Sequence, residues 1–138
     1  IAVSFIRHNH NHFNVPVDVF KNEDLHVHFP AGAVPKDGPS AGVTITTALI
    51  SLLSGSRGIR PNGRIAMTGE MTLSGEVLPV GGVREKVLAA QAAGVTTVIL
   101  PYENQRDIRE IPPHTIKGLT FVYARKYQEV FDIALVPR

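Results

Sequence analysis

Residues 39–55, PSAGVTITTALISLLSG, predict the central helix of the fold. Pro39 suits the first helical position, where its missing N–H costs nothing, and Gly55 follows Ser54 as a C-terminal cap. The β-branched residues 43–47 locally favour a strand, but the length of the run favours a helix. Because apolar side chains surround nearly its whole circumference, we expect a buried helix over residues 39–54 at the centre of the molecule.

A loop rich in glycine and proline, residues 31–42, carries Ser40 at the start of this helix. Backbone N–H groups converge at a helix start, and the helix dipole favours negative charge there. Gly38 and Gly42 carry no side chain, so they leave room for an extended substrate. Ser40 is therefore a candidate nucleophile whose oxyanion these N–H groups would hold.

Two other interpretations of Ser40 stay open at this point. Serine is a common N-cap residue, and Asp-Gly-Pro-Ser is a common turn. A glycine-rich turn before a helix also binds phosphate in some proteins, although the Walker pattern GxxxxGK[ST] is absent from this chain.

Outward from the helix, the patterns predict an α+β fold, a mixed sheet with flanking helices. Before it we expect a helical start over 1–13, a loop over 14–24 and a half-buried strand over 24–30. After it come an exposed turn over 56–63, short strands with a hairpin at Ser74-Gly75 in 64–82, a helix over 83–94, a buried strand over 95–101, a short helix over 103–111, a strand over 119–124 and an amphipathic helix over 126–135.

Composition narrows the class of protein. The 138 residues are 43% hydrophobic and 19% charged with a net charge of +2, which suits one compact domain. The basic residues form no run, so we expect no nucleic acid partner. Without cysteine there is no disulfide or thiol chemistry, and no apolar run is long enough for a membrane span. The chain starts at Ile1 within a helical pattern, so we expect a piece of a longer protein.

Lys86 is the candidate base for Ser40. Val83, Lys86, Val87 and Ala90 fall on one face of the predicted helix over 83–94. A lysine on a buried face has its pKa depressed from about 10.4, which supplies the neutral amine that a base needs. The alternative is that Lys86 extends its amine along its aliphatic stem to water.

The histidines are weaker candidates. His8, His10 and His12 resemble a metal tract, but no carboxylate-rich ligand set accompanies them, and we expect no metal site. His26 and His28 share one face of the predicted strand, and His114 follows two prolines in an exposed loop.

Two long segments, PKDGPSAG (35–42) and AMTGEMTLSGEVLPVGGVREKVLAA (66–90), resemble the proteolytic domain of Lon proteases. DLHVHFPAGAV and VILPYENQRDI also fit this family. The resemblance implies a Lon-type serine peptidase domain over 1–138, related to the ribosomal-protein domain 2-like fold, truncated at its N-terminus and lacking the ATPase and substrate-binding domains. It implies Ser40 as nucleophile and Lys86 as general base, with Lys86 Nζ within or near hydrogen-bond reach of Ser40 Oγ.

The resemblance also assigns neighbouring residues and partners. It implies that Thr68, beside Met67, hydrogen-bonds the lysine, and that Asp37, Gly38 and Pro39 lie in a segment whose shape distinguishes active from inactive sites. It implies no cofactor in this domain, with ATP and magnesium used by the ATPase module. Unfolded or damaged proteins are the implied substrates and a hexameric ring the implied assembly, with no nucleic acid required and no membrane partner.

The segment from His28 to Thr44 is most similar to the peroxisomal type of this family, where many bacterial members have Glu in place of Ala31. We therefore predict the peroxisomal matrix, with the mitochondrial matrix or the bacterial cytoplasm as alternatives. Two other functions are alternatives: a phosphate-binding module of related fold, and a non-catalytic ring-forming element. The presence of both Ser40 and Lys86 favours the peptidase.

Overall fold

The computed structural model of the chain describes residues 1–30, 39–55, 57–59 and 64–137. Within these ranges the helices are α1 (Ala2–His8), α2 (Val19–Asn22), α3 (Gly42–Ser54), α4 (Val83–Ala92), α5 (Gln105–Arg109) and α6 (Tyr127–Ala134). The strands are β1 (Arg57–Ile59), β2 (Ile65–Met67), β3 (Glu70–Met71), β4 (Val77–Leu78), β5 (Thr97–Pro101), β6 (Thr120–Ala124) and β7 (Leu135–Pro137). Two short 3₁₀ helices cover Tyr102–Asn104 and Pro113–Ile116.

The main sheet is parallel and has the order β2-β5-β6. In its register Ala66 lies opposite Val98, and Val98 lies opposite Phe121. Antiparallel pairing occurs in two separate pairs, the hairpin β3-β4 and the pair β1-β7. With helices flanking the parallel sheet, the predicted α+β class is confirmed.

Two hydrophobic clusters hold the helices against β5, whose residues alternate between them. Ile99 belongs to the first cluster, whereas Val98 and Leu100 belong to the second. The first cluster joins α1, α3 and α6 through side chains that include Phe5, Ile6, Val43, Ile50, Tyr127 and Val130. The second joins α4 and α5 through Val83, Val87, Ile108 and Ile111. The sheet therefore has one helix layer on each side, and α3 and α4 lie in different layers.

Several predicted elements are confirmed. α4 ends where expected, with Gly94 in the left-handed region at φ 80°, and the β3-β4 hairpin turns at Gly75, with φ 87°. β5, β6 and α6 lie inside the ranges that the sequence predicts for them.

The strand predicted over residues 24–30 is wrong. The structure assigns no strand there, and Val27 and Phe29 are 52% and 49% exposed. Alternating residues form a strand only when a neighbouring strand accepts and donates their backbone hydrogen bonds. No strand in the described ranges pairs with this segment, so Val27 and Phe29 stay exposed and only Leu25 packs against the first hydrophobic cluster.

The central helix begins three residues later than predicted. α3 starts at Gly42 with Ala41 as its N-cap, and Pro39 is an exposed residue of the turn before it. The predicted cap at Gly55 is confirmed, in the left-handed region at φ 65°. The first helical hydrogen bond runs from Ile45 N–H to the Ala41 carbonyl, because a different part of the chain takes the Ser40 carbonyl.

The prediction that α3 is buried on nearly every side is also wrong. Thr44, Ala48 and Leu52, each four residues from the next, form an exposed stripe, and Leu52 is 68% exposed. The opposite side packs against α1 and α6. Apolar residues all around a helix show that it can be buried. How much of its surface is buried depends on how many neighbouring elements pack against it.

Two segments predicted as loops contain regular structure. α2 forms one turn inside 14–24, and β1 forms inside the turn predicted over 56–63. β1 exists because it pairs with β7, which is nearly eighty positions away along the chain (Arg57 opposite Pro137). Such distant pairing leaves no local signal in the sequence.

Candidate active site

Ser40 lies in a tight turn, half-buried, two residues before α3. Gly69 N–H donates to its carbonyl oxygen at 2.9 Å, and Thr68 Oγ1 donates to the same oxygen at 3.3 Å. The carbonyl of an N-cap residue accepts the first helical hydrogen bond, but here that role belongs to Ala41. The interpretation of Ser40 as an N-cap is therefore wrong, and its hydroxyl is not used to start the helix.

The start of α3 is docked closely on the turn that follows β2. Val43 N–H donates to the Gly69 carbonyl at 3.1 Å, and Thr44 Oγ1 donates to the carbonyl of Met67 at 3.4 Å. A Cβ added to Gly42 would lie 3.1 Å from Met71 N and 3.3 Å from the Gly69 carbonyl oxygen. Only a glycine at position 42 permits this approach without displacement, so the docking holds Ser40 beside the end of β2.

Thr68 connects Ser40 to Lys86. It follows β2 directly, is 8% exposed, and its N–H donates to the Ile99 carbonyl of the neighbouring strand at 3.2 Å. Lys86 Nζ donates to Thr68 Oγ1 at 3.3 Å, and that hydroxyl donates onward to the Ser40 carbonyl. The hydroxyl thus accepts one hydrogen bond and donates another, and its single proton is engaged.

Lys86 reaches this point from the first turns of α4. Val83 and Val87 are buried at 3% and 0% exposure and Ala90 is half-buried, so this face is apolar as predicted. Lys86 itself is exposed, and its predicted burial is wrong. Lys86 lies at the edge of the apolar face. Its long side chain therefore extends past Val83 and Val87, and its amine reaches Thr68.

The structure brings Ser40, Thr68 and Lys86 together from three elements far apart in sequence. Among the residues that it describes, no hydrogen bond joins Ser40 Oγ to Lys86 Nζ directly, and the connection runs through Thr68. The pairing of the two side chains stays a prediction. Asp37 and Gly38 lie outside the described residues, so the predicted role of the segment before Pro39 is not addressed.

The family model for the Lon protease (S16) C-terminal proteolytic domain matches residues 1–137. The chain belongs to this Lon family. It is 54% identical over 134 residues to a Lon protease of Syntrophus aciditrophicus, an alignment that covers 97% of this chain and 17% of the relative. It is 52% identical to a Lon protease of Anaeromyxobacter dehalogenans over 134 residues, 97% of this chain and 16% of the relative. The chain spans about a sixth of the length of the curated relatives it matches.

A Lon protease of Dictyoglomus thermophilum is 50% identical over 135 residues, covering 98% of this chain and 17% of that protein. These three relatives come from bacteria. Neither they nor the structure tests the predicted peroxisomal location of this Lon domain, which stays a prediction.

Among the described residues, no hydrogen bond joins a histidine to Ser40, Thr68 or Lys86. His12 contacts Gln128 through its ring nitrogen and packs on Phe131, on α6. His26 and His28 are exposed with their ring centroids 6.4 Å apart. His114 is exposed in the second 3₁₀ helix. Within the described ranges no group of three or more histidine or carboxylate side chains is placed to hold a metal ion.

In the part of the chain that the structure describes, no helix has the length and apolar character needed to cross a membrane.

Two residues that hold the segments around this Lon site could not be identified from the sequence. Gly69 supplies two of the backbone groups that dock α3, since its N–H donates to the Ser40 carbonyl and its carbonyl accepts from Val43 N–H. Asn104, 1% exposed, binds the chain just before α4. Asparagine in the turn that follows a strand is usually exposed, so Asn104 could be recognised only once its burial was known.

Proposed function

We propose that this domain is the peptidase part of a Lon protease, with Ser40 as the nucleophile and Lys86 as the general base. The observation that carries the proposal is the Thr68 hydroxyl, which contacts both the Lys86 amine and the Ser40 main chain. Orientation of the base by a third group is a recurring feature of sites that activate a serine nucleophile, and Thr68 is placed to orient Lys86 in this way. Similarity to proteins named Lon protease over nearly the whole chain supports it.

In the proposed reaction Lys86, as the neutral amine, removes the proton from Ser40 Oγ while that oxygen attacks the carbonyl carbon of the peptide. The C–N bond then breaks, and the Lys86 ammonium returns its proton to the leaving nitrogen. Lys86 next deprotonates a water molecule, which attacks the acyl-enzyme ester. The tetrahedral intermediate formed by this attack then collapses: the ester C–O bond breaks, the carboxylic acid is released, and the Lys86 ammonium returns its proton to Ser40 Oγ.

We propose that backbone N–H groups near Ser40 hold the oxyanion. Gly42 N–H donates to the Pro39 carbonyl at 3.3 Å, and Val43 N–H donates to Gly69. Because both are engaged within the protein, we assign the oxyanion to the N–H groups of Ser40 and Ala41, which precede the helix.

For the whole protein we propose ATP-dependent cleavage of unfolded or damaged proteins within a hexameric ring, with ATP and magnesium used by a separate ATPase domain. The chain covers about a sixth of its relatives, so the dependence on ATP and the ring assembly are proposed for the whole protein, whereas the cleavage chemistry is proposed for this domain.

The test compares Ser40→Ala and Lys86→Ala in the full-length protein that carries this domain, with a fluorogenic peptide, ATP and unfolded casein. Each substitution is expected to lower kcat by at least about a thousandfold, since residues of one catalytic unit each carry most of its effect. ATP hydrolysis should persist in both variants, which shows that the separate ATPase domain is intact, and circular dichroism spectra that match the parent's show that the variants are folded.

Lys126→Ala is the matched control, because it removes an exposed lysine whose partner is Glu76 at 3.5 Å. It should cleave like the parent. Cleavage by Lys86→Ala at the parent rate would refute the assignment of the base. Cleavage by Ser40→Ala as well would leave a non-catalytic ring element as the better description of the domain.

A further inference from the structure

A buried asparagine, Asn104, holds the segment that leads into α4. It ends the first 3₁₀ helix and is 1% exposed. Its Oδ1 accepts from Val80 N–H at 3.0 Å, and its Nδ2 donates to the Val80 carbonyl at 2.9 Å. The side-chain amide therefore pairs with both polar groups of one residue, as a neighbouring strand would.

The carboxylate of Asp107 orients this amide. Asn104 Nδ2 also donates to Asp107 Oδ2 at 2.8 Å. A carboxylate only accepts hydrogen bonds, so the nitrogen must face Asp107 and the oxygen must face Val80 N–H. Both amide protons and the amide oxygen are thus engaged, which leaves the side chain a single orientation.

Val80 stands two residues before the N-cap of α4. That cap is Gly82, in the left-handed region at φ 68°, and its carbonyl accepts from Lys86 N–H at 3.1 Å. Val83 and Val87 anchor the other side of the same turn in the second hydrophobic cluster, against which Val80 packs. If Val80 moved, Gly82 would move with it, and so would the first turn of α4, which carries Lys86.

We infer that Asn104 is a positioning residue that sets the place of Lys86 by clamping the backbone of Val80. The inference rests on the proposed function in one respect, the role of Lys86 as base. Asn104 has no contact with Lys86, Thr68 or Ser40 among the hydrogen bonds of the described residues, so it acts through the start of α4.

Asn104→Asp is the sharpest substitution, since it keeps the shape of the side chain. It removes both donors, and it places a carboxylate against the Val80 carbonyl and the Asp107 carboxylate. Asn104→Ala is the second variant, which removes the clamp without adding charge. Tyr127→Phe is the control, because it removes a buried hydroxyl bonded to Thr47 at 2.9 Å in the other hydrophobic cluster.

Two measurements on the full-length protein test the inference. The first is amide hydrogen exchange by mass spectrometry over residues 79–87. Exchange there should be about tenfold faster in both Asn104 variants, as expected for loss of roughly 1.4 kcal/mol of local protection, and unchanged in Tyr127→Phe. The second is peptide hydrolysis, in which kcat should fall roughly tenfold to a hundredfold with KM within about twofold.

The outcomes separate the two proposals. Faster exchange over 79–87 with a selective fall in kcat supports the inference. Parent-like exchange there, or a kcat equal to that of Tyr127→Phe, overturns it. Lys86→Ala is assayed alongside, and if it retains the parent kcat the proposed function fails, while exchange over 79–87 still decides whether Asn104 positions the start of α4.

Discussion

Among the described residues, the Thr68 hydroxyl is the group that connects the serine to the lysine. It is buried, it accepts from Lys86 Nζ, and it donates to the Ser40 carbonyl. The Ser40 carbonyl has a second partner, Gly69 N–H, so the turn that carries the serine does not depend on Thr68 alone. Loss of the hydroxyl should therefore affect the lysine more than the fold.

Thr68→Val should lower kcat for peptide hydrolysis roughly tenfold to a hundredfold, because Lys86 Nζ loses the partner that holds it near Ser40. The loss in unfolding free energy should be about 1 to 2 kcal/mol. Thr68→Ser keeps the hydroxyl and is the matched control. Steady-state kinetics of the full-length protein measure the effect, and equal kcat values for the two variants would show that the hydroxyl has no role in the reaction.

At the residue scale the resemblance to Lon named the three side chains that the structure places together, Ser40, Thr68 and Lys86. Helix spacing correctly predicts the apolar face of α4, but it also predicts that Lys86 is buried, and Lys86 is exposed. Spacing establishes which residues share a face, whereas exposure depends on where the edge of the packed surface falls. Asn104 could not be found from sequence, since its partner Val80 lies in another segment.

At the scale of elements, the decisive contact is the docking of α3 on the turn after β2. Four hydrogen bonds join residues 40–44 to residues 67–69. These bonds take the Ser40 carbonyl out of the helix and delay its start to Gly42. The close approach of Gly42 to the backbone of Gly69 and Met71 is what makes the docking possible.

Gly42→Ala should destabilise the domain by about 1 to 2 kcal/mol and lower kcat. The added Cβ meets two backbone atoms, Met71 N and the Gly69 carbonyl oxygen, which give way less readily than side chains do. Crowding of this kind costs about 1 to 3 kcal/mol, offset in part by the higher helix propensity of alanine.

Gly81→Ala is the control for this change, because Gly81 is exposed and a Cβ there meets no atom within 4 Å. Its unfolding free energy should stay within about 0.5 kcal/mol of the parent value. Urea unfolding of the 138-residue chain measures both variants. A stabilised Gly42→Ala variant would mean that α3 can shift away from the turn without cost.

At the scale of the whole molecule, Tyr127 ties the N-terminal helix to the rest of the fold. It is fully buried, its ring packs edge-on against Phe5 and Phe13, and its hydroxyl bonds Thr47 of α3. Burial raises the pKa of Tyr127 above its ordinary value of 10.0, and the hydrogen bond with Thr47 opposes this shift only in part. The folded state therefore retains the neutral phenol at a pH where the unfolded chain has ionised it.

The domain should lose stability as the pH rises above about 10. Because the pKa is raised in the folded state, the contribution of Tyr127 is complete below the unfolded pKa and is lost as the pH rises through the folded one. In that window the loss is about 1.4 kcal/mol per pH unit. Burial also raises the pKa of Tyr123, with Arg109 opposing it, so that residue acts in the same direction.

Urea unfolding between pH 8 and pH 12 compares the parent chain with Tyr127→Phe. At neutral pH the variant should be less stable by about 1 kcal/mol, the net value of one buried hydrogen bond. Above pH 10 the difference should shrink and then reverse, because phenylalanine has no proton to lose. Parallel curves across the whole range would show that Tyr127 does not control the alkaline transition.

The sequence by itself determined the elements whose signals are local: α4 and its stop at Gly94, the hairpin at Gly75, β5, β6, α6 and the cap at Gly55. Periodicity and turn glycines act over a few residues, so they can be recognised without knowing the fold.

Tertiary structure alone decided the start of α3, the absence of a strand over 24–30, the pairing of β1 with β7 and the exposure of Lys86. Each depends on hydrogen bonds or packing between segments distant in the chain, and the competing local preference is too weak to resist them. The place of Ser40 shows this directly. Local preference places it in the first turn of a helix that starts at Pro39, but Gly69 and Thr68 take its carbonyl, and Ser40 stays in the turn before α3.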